Sequence, residues 1–113
     1  MVSKFGKEFD RVVSWLKQYA RFRVRTVADL QWDGTHCFAE VLDRKDGGWT
    51  VRIGRRQDYD AAVDCLLHEV AHIVDWERNG YVDGHDAQHR RSWGVIHSDL
   101  YRAYHRAVEK GEL

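Results

Sequence analysis

The chain contains no proline, only two cysteines and one methionine, and its acidic and basic residues cancel. Each shortage excludes something. Without proline there is no polyproline segment or stiff proline-rich linker, and the boundaries between elements are only softly marked. Cys37 and Cys65 are too few for the disulfide framework of a small secreted domain, so a cytosolic setting is expected. No apolar run approaches the roughly 20 residues of a membrane span. The first residues, Met1 to Lys7, lack the apolar core of a secretory signal. No membrane contact is expected. Zero net charge argues against a dedicated nucleic-acid binder.

What is present is 113 residues, enough for one domain over 1–113 with a real core and too few for two of ordinary size. Charge is unevenly spread: up to Gln57 there are 12 Lys and Arg against 7 Asp and Glu, and the remainder has the opposite excess. Arg21, Arg23 and Arg25 alternate along an expected strand, and Arg52, Arg55 and Arg56 lie in or after another. A solvated sheet face is the simpler reading and a phosphate-binding face the alternative.

Phe5, Phe9, Val12, Val13, Leu16 and Tyr19 recur at helical spacing and predict a first helix from Phe5 to Tyr19, with Ser3 as its cap. From Arg21 the period changes to two, with Phe22, Val24 and Thr26 on one side. Thr35 to Leu42 and Trp49 to Ile53 predict two further strands, joined by a polar, glycine-rich hairpin loop. Asp58 or Asp60 then caps a helix running to about Arg78, ended by Asn79-Gly80, and Asp86 caps a last one from Ala87 to about Glu109. The expected class is α+β: an N-terminal helix, a small, mostly antiparallel three-stranded sheet, then two long packed helices.

The first of those long helices carries His68-Glu69-Val70-Ala71-His72. Residues four apart on a helix lie roughly 40° apart around its axis, so both imidazoles can reach one metal ion. Glu69 is roughly 100° further round, suited to reach a water on that ion rather than the ion itself. Zinc chemistry uses this set: neutral nitrogen ligands, one open position, and a carboxylate beside it. A chance match arises in about one shuffled sequence in fifty, so the surroundings must decide. Val63, Leu66, Leu67, Val70, Ile73 and Val74 form one apolar face, nearly opposite the two histidines. The histidines therefore look away from the main core. Cys65 shares their side and reads as a small buried apolar residue rather than a ligand.

Such a site needs a third protein ligand. The metzincin continuation requires glycine and histidine where this chain has Asp75 and Arg78, and Glu77 lies on the wrong side of its helix for a glutamate ligand. Four histidines follow: His85, His89, His97 and His105. Trp93, Ile96, Leu100, Tyr104 and Ala107 mark the inward stripe of the last helix, and one turn upstream it reaches His89. His89 is the expected ligand and His85 the reserve. His97 and His105 fall off the stripe and read as surface or rim residues.

The run His89-Arg90-Arg91-Ser92-Trp93-Gly94, 17 residues after His72, resembles the second motif of SprT-like zinc metallopeptidases and of related small phage-encoded proteins. There a histidine is followed four positions later by a bulky aromatic. Leu100 to Tyr104 is also similar to the phage-type members. The resemblance covers the second half of the chain. It implies Zn2+ on His68, His72 and His89, Glu69 as catalytic base, and a peptide or protein substrate.

The expected reaction is therefore peptide-bond hydrolysis by a zinc-activated water. Tyr101 or Tyr104 is a candidate donor to the developing oxyanion, with core packing the plainer role for either. Asp75 or Asp64 is a candidate to orient a histidine, and the Trp49–Ile53 strand a candidate edge for an extended substrate. Hydrolysis of a non-peptide bond, a non-catalytic zinc-binding adaptor and a nucleic-acid-associated module are the alternatives.

Overall fold

Phe9, Val12 and Leu16 recur at helical spacing and all three are buried in the first helix, α1, Lys7–Leu16. The computed structural model describes residues 5–27, 39–43 and 48–113, with the side chain of His85 excepted. Helix α1 starts later than expected, at a Gly6 with φ 94°, and Ser3 lies outside the described residues. It also stops earlier. From Lys17 to Tyr19 the amide groups bond three residues back, a tightened final turn rather than α-helix.

Three strands follow: β1 (Phe22–Val27), β2 (Ala39–Asp43) and β3 (Trp49–Gly54). Their order in the sheet is β1-β3-β2. β2 and β3 form the expected antiparallel hairpin, with Val41 opposite Val51. β1 instead runs parallel to β3, with Val24 opposite Val51, so the sheet is mixed. β1 and β2, consecutive in the chain, thus lie on opposite sides of β3. The Trp49–Ile53 strand is consequently the centre of the sheet and not its edge, which corrects the expectation above. Its burial agrees: Val51 and Ile53 are fully buried and Thr50 nearly so. Among the described residues, β2 is the edge strand on that side. Of the expected strand from Thr35, residues 35–38 lie outside the described residues.

Helix α2 spans Tyr59–Asn79. Asp58 caps it, its carboxylate accepting the Ala61 amide at 2.8 Å, while Asp60 lies inside the first turn. Gly80 ends it with φ 90°, a conformation most side chains resist. Val63, Leu66, Leu67, Val70, Ile73 and Val74 are all buried, as the sequence pattern requires. Each such burial stabilises by roughly 2 kcal/mol. The partners on this face are α1 and the sheet, through Phe9, Val12, Leu16, Val51 and Ile53. α2 also packs against the last helix, whose Ile96 and Leu100 join the same core.

That last segment departs from the expected single helix. A short α3 (His85–Gln88) precedes α4 (Arg91–Glu109), and the chain breaks between them at His89 and Arg90. Arg90 has ψ 171°, extended backbone that no helix contains. Asp86 falls inside α3 rather than capping a long helix. Among the described residues, no helix is long and apolar enough to cross a membrane.

Candidate metal centre

His68 and His72 project from α2, one turn apart, toward the α3–α4 break, where His89 meets them. His68 Nε2 lies 3.2 Å from His72 Nε2 and 3.1 Å from His89 Nε2. The three residues bring ligand atoms within 4.8 Å of one another and can hold one metal ion. Proton counting favours an ion. A neutral imidazole has one ring proton, and a nitrogen that donates it cannot also accept in the ring plane. His68 Nε2 therefore cannot serve both neighbours well by hydrogen bonding, whereas a cation takes all three lone pairs at once. Nitrogens about 2.0–2.1 Å from zinc at near-tetrahedral angles sit roughly 3.3 Å apart, close to the observed spacing. The donor set fits zinc.

Trp93 fixes the three rings. It stacks on His72 with centroids 5.1 Å apart and 23° between planes, stands edge-on to His89 at 4.7 Å, and lies 4.8 Å from His68. Its indole N–H donates to the His68 carbonyl at 3.4 Å, a long bond. The inward stripe that pointed to His89 thus supplied the platform under all three imidazoles.

His72 is nearly fully buried. Burial first, and the neighbouring His68 and His89 next, push its pKa down to about 3, so the ring stays neutral through mildly acidic conditions. Its Nδ1 is buried with no hydrogen-bond partner among the described residues. Neither aspartate offered as an orienting group bonds that nitrogen. Asp64 lies on the exposed side of α2, near His97 and His105.

Asp75 has another role. Its side chain is fully buried, and its carboxylate accepts from Arg90 Nε at 2.9 Å, Ser92 Oγ at 2.6 Å and Asn79 Nδ2 at 2.9 Å. Burial pulls its pKa upward, but these bonds, led by Ser92, outweigh it and hold the carboxyl below its ordinary value. Arg90 also donates to the Gly80 carbonyl at 2.6 Å. Arg90 in the break and Ser92 in the first turn of α4 are thus tied to the end of α2, and His89 directly precedes them. Sequence spacing did not reveal this anchor; the signal was an arginine and a serine just after a candidate ligand, with an aspartate one turn beyond His72.

The site opens into a cavity of about 590 Å³. His68, Glu69, His72 and His89 line it, together with Gln88, the β2 residues Ala39, Glu40, Val41 and Asp43, and an aromatic group of Trp49, Trp76 and Tyr81. Glu69, only 7 % exposed, therefore shares a cavity wall with the three imidazoles. Tyr101 and Tyr104 do not line it: Tyr104 packs near Trp15 and Tyr59, and Tyr101 contacts His105. His97 stacks on Trp93 at 4.9 Å as a rim residue, its centroid 5.9 Å from that of His68. His105 is exposed, and the His85 side chain lies outside the described residues. Cys65 is buried, with Sγ 3.3 Å from Gln57 Oε1, consistent with the packing role expected of it. In the arginine-rich sheet, Arg23 donates to Thr50 Oγ1 and Arg52 pairs with Glu40.

No protein-family model matches this chain, and no curated protein or solved structure matches it either.

Proposed function

We propose that the chain is a zinc-dependent hydrolase of peptide bonds, held together chemically by His68, His72, His89 and Glu69. The observation that carries the reading is the convergence of three imidazole Nε2 atoms, two of the spacings being 3.1 and 3.2 Å, in a cavity that Glu69 also lines. When bound, zinc supplies Lewis acidity, which acidifies a coordinated water and polarises a carbonyl.

The remaining work belongs to the protein. His68, His72 and His89 present neutral lone pairs, and Trp93 keeps their planes fixed. The Asp75–Arg90–Ser92 bonds hold His89 in place against the pull of an unconstrained turn. Glu69, confined in the cavity wall, accepts the proton of the attacking water and delivers it to the departing amine. The edge of β2 offers an extended peptide backbone a pairing partner alongside the site. The resemblance of His89 to Gly94 to the SprT-like second motif supports the same reading.

The test measures zinc content and cleavage of mixed quenched-fluorescent peptides by the wild type and Glu69→Gln. The expected result is unchanged zinc with turnover lost. Full zinc in both proteins with no cleavage by either overturns the hydrolase reading and leaves a non-catalytic metal-binding adaptor.

A further inference from the structure

The aromatic side of the cavity does more than enclose the metal site. Trp76 stacks on His72 with centroids 5.3 Å apart and 20° between planes, then meets Trp49 at 5.3 Å and Tyr81 at 5.0 Å. This wall begins at a candidate metal ligand and ends at Tyr81, which is 57 % exposed. The polar edges of its two outer rings are bonded to carboxylates: Trp49 Nε1 donates to Glu77 Oε1 at 2.9 Å and Tyr81 Oη to Asp83 Oδ1 at 2.7 Å. A negative acceptor on an indole N–H or a phenol O–H pushes electron density into the ring. That deepens the negative potential of the ring face, the property that attracts a cation.

The β2 side of the cavity adds Glu40 and Asp43, and no lysine or arginine is among its described lining residues. Glu40 is committed to Arg52. Asp43 is exposed and in no such pair among the described residues. A positively charged guest would meet aromatic faces and a carboxylate together; an aliphatic or acidic guest would gain neither attraction.

We infer that Trp49, Trp76, Tyr81 and Asp43 form a subsite for a basic side chain, arginine or lysine, of the bound peptide, beside the bond to be cleaved. This inference rests on the peptidase reading above and adds the substrate preference to it.

The probes are dipeptide hydroxamates, whose hydroxamate group chelates zinc and anchors the ligand at the site whether or not hydrolysis occurs. Arginine, citrulline, norleucine or glutamate is placed either next to the hydroxamate or one residue further away. Dissociation constants are read from tryptophan fluorescence of the zinc-loaded full chain. Arginine is expected to bind about tenfold tighter than citrulline, which keeps its shape without its charge, in at least one series. Tyr81→Ala and Asp43→Asn are each expected to bring that ratio toward one. Tyr81 is exposed enough that its loss spares the fold. Equal binding of all four side chains, or a ratio that both variants leave intact, overturns the subsite while the metal site stands. Failure of every hydroxamate to bind overturns the metal reading, and the subsite with it.

Discussion

The carboxylate of Asp75 and the guanidinium of Arg90 meet at 2.9 Å, with the aspartate fully buried and the arginine directly following His89. The pair joins the end of α2 to the break that carries the third imidazole. Arg90→Ala removes a charged partner from a buried carboxylate that keeps Ser92 and Asn79. It is expected to cost about 2–3 kcal/mol in urea denaturation. Zinc affinity, measured by chelator competition, is expected to fall about 10–100-fold, as when other groups supporting metal ligands are lost. Unchanged affinity would show that His89 is held without this bond.

Ala substitutions at His68, His72 and His89 are each expected to abolish tight zinc binding by metal analysis of the purified protein. Those at His97 and His105 are expected to retain it. In the wild type, free zinc at a thousandfold excess over its dissociation constant should stabilise the fold by about 4 kcal/mol, seen as a loss of melting temperature on adding chelator.

Glu69→Gln keeps the size of the side chain and removes its basicity. Peptide cleavage is expected to drop about 10²–10⁴-fold, the usual contribution of a positioned base, with zinc content unchanged. Loss of zinc in this variant would instead make Glu69 a ligand.

The stability of the metal-free protein should depend on pH through His72. Its folded-state pKa, about 3, lies below the ordinary 6.5, so the unfolded chain takes up a proton that the folded chain refuses. The stabilisation from keeping this ring neutral is fully present above 6.5 and lost as pH falls from there toward about 3. Asp75 adds a loss at lower pH, because its carboxyl is held below its ordinary value. Denaturation midpoints measured from pH 8 to 4 should fall steadily on the acid side, and His72→Gln should flatten that slope. A flat profile in the wild type would contradict the burial of a neutral His72.

The α2 site was readable because it is local. His68 and His72 are placed by helical periodicity alone, and the apolar set from Val63 to Val74 fixes which way they face. His89 was reached by extending the stripe of Trp93, Ile96 and Leu100, yet the helix does not extend there: the chain turns extended at Arg90. His89 meets His68 and His72 although the helix expected to carry it does not reach it, because Trp93 sets the direction from which a residue one turn upstream approaches α2. The strand order was not readable. Alternation marks Phe22, Val24, Val51 and Ile53 as inward-facing but is indifferent to whether strands run parallel or antiparallel, so it does not distinguish the central β3 from the edge that β2 occupies.

The sequence by itself determined two imidazoles and a carboxylate on one helix, since a 3.6-residue repeat converts spacing directly into direction. It also determined the helix that packs beside them, through the spacing of its apolar side chains. Tertiary structure decided the rest. The bond from Asp75 to Arg90, the cavity between β2 and α2, and the row from His72 through Trp76 to Tyr81 join groups on separate elements. Those distances depend on how the elements pack, which no local repeat specifies.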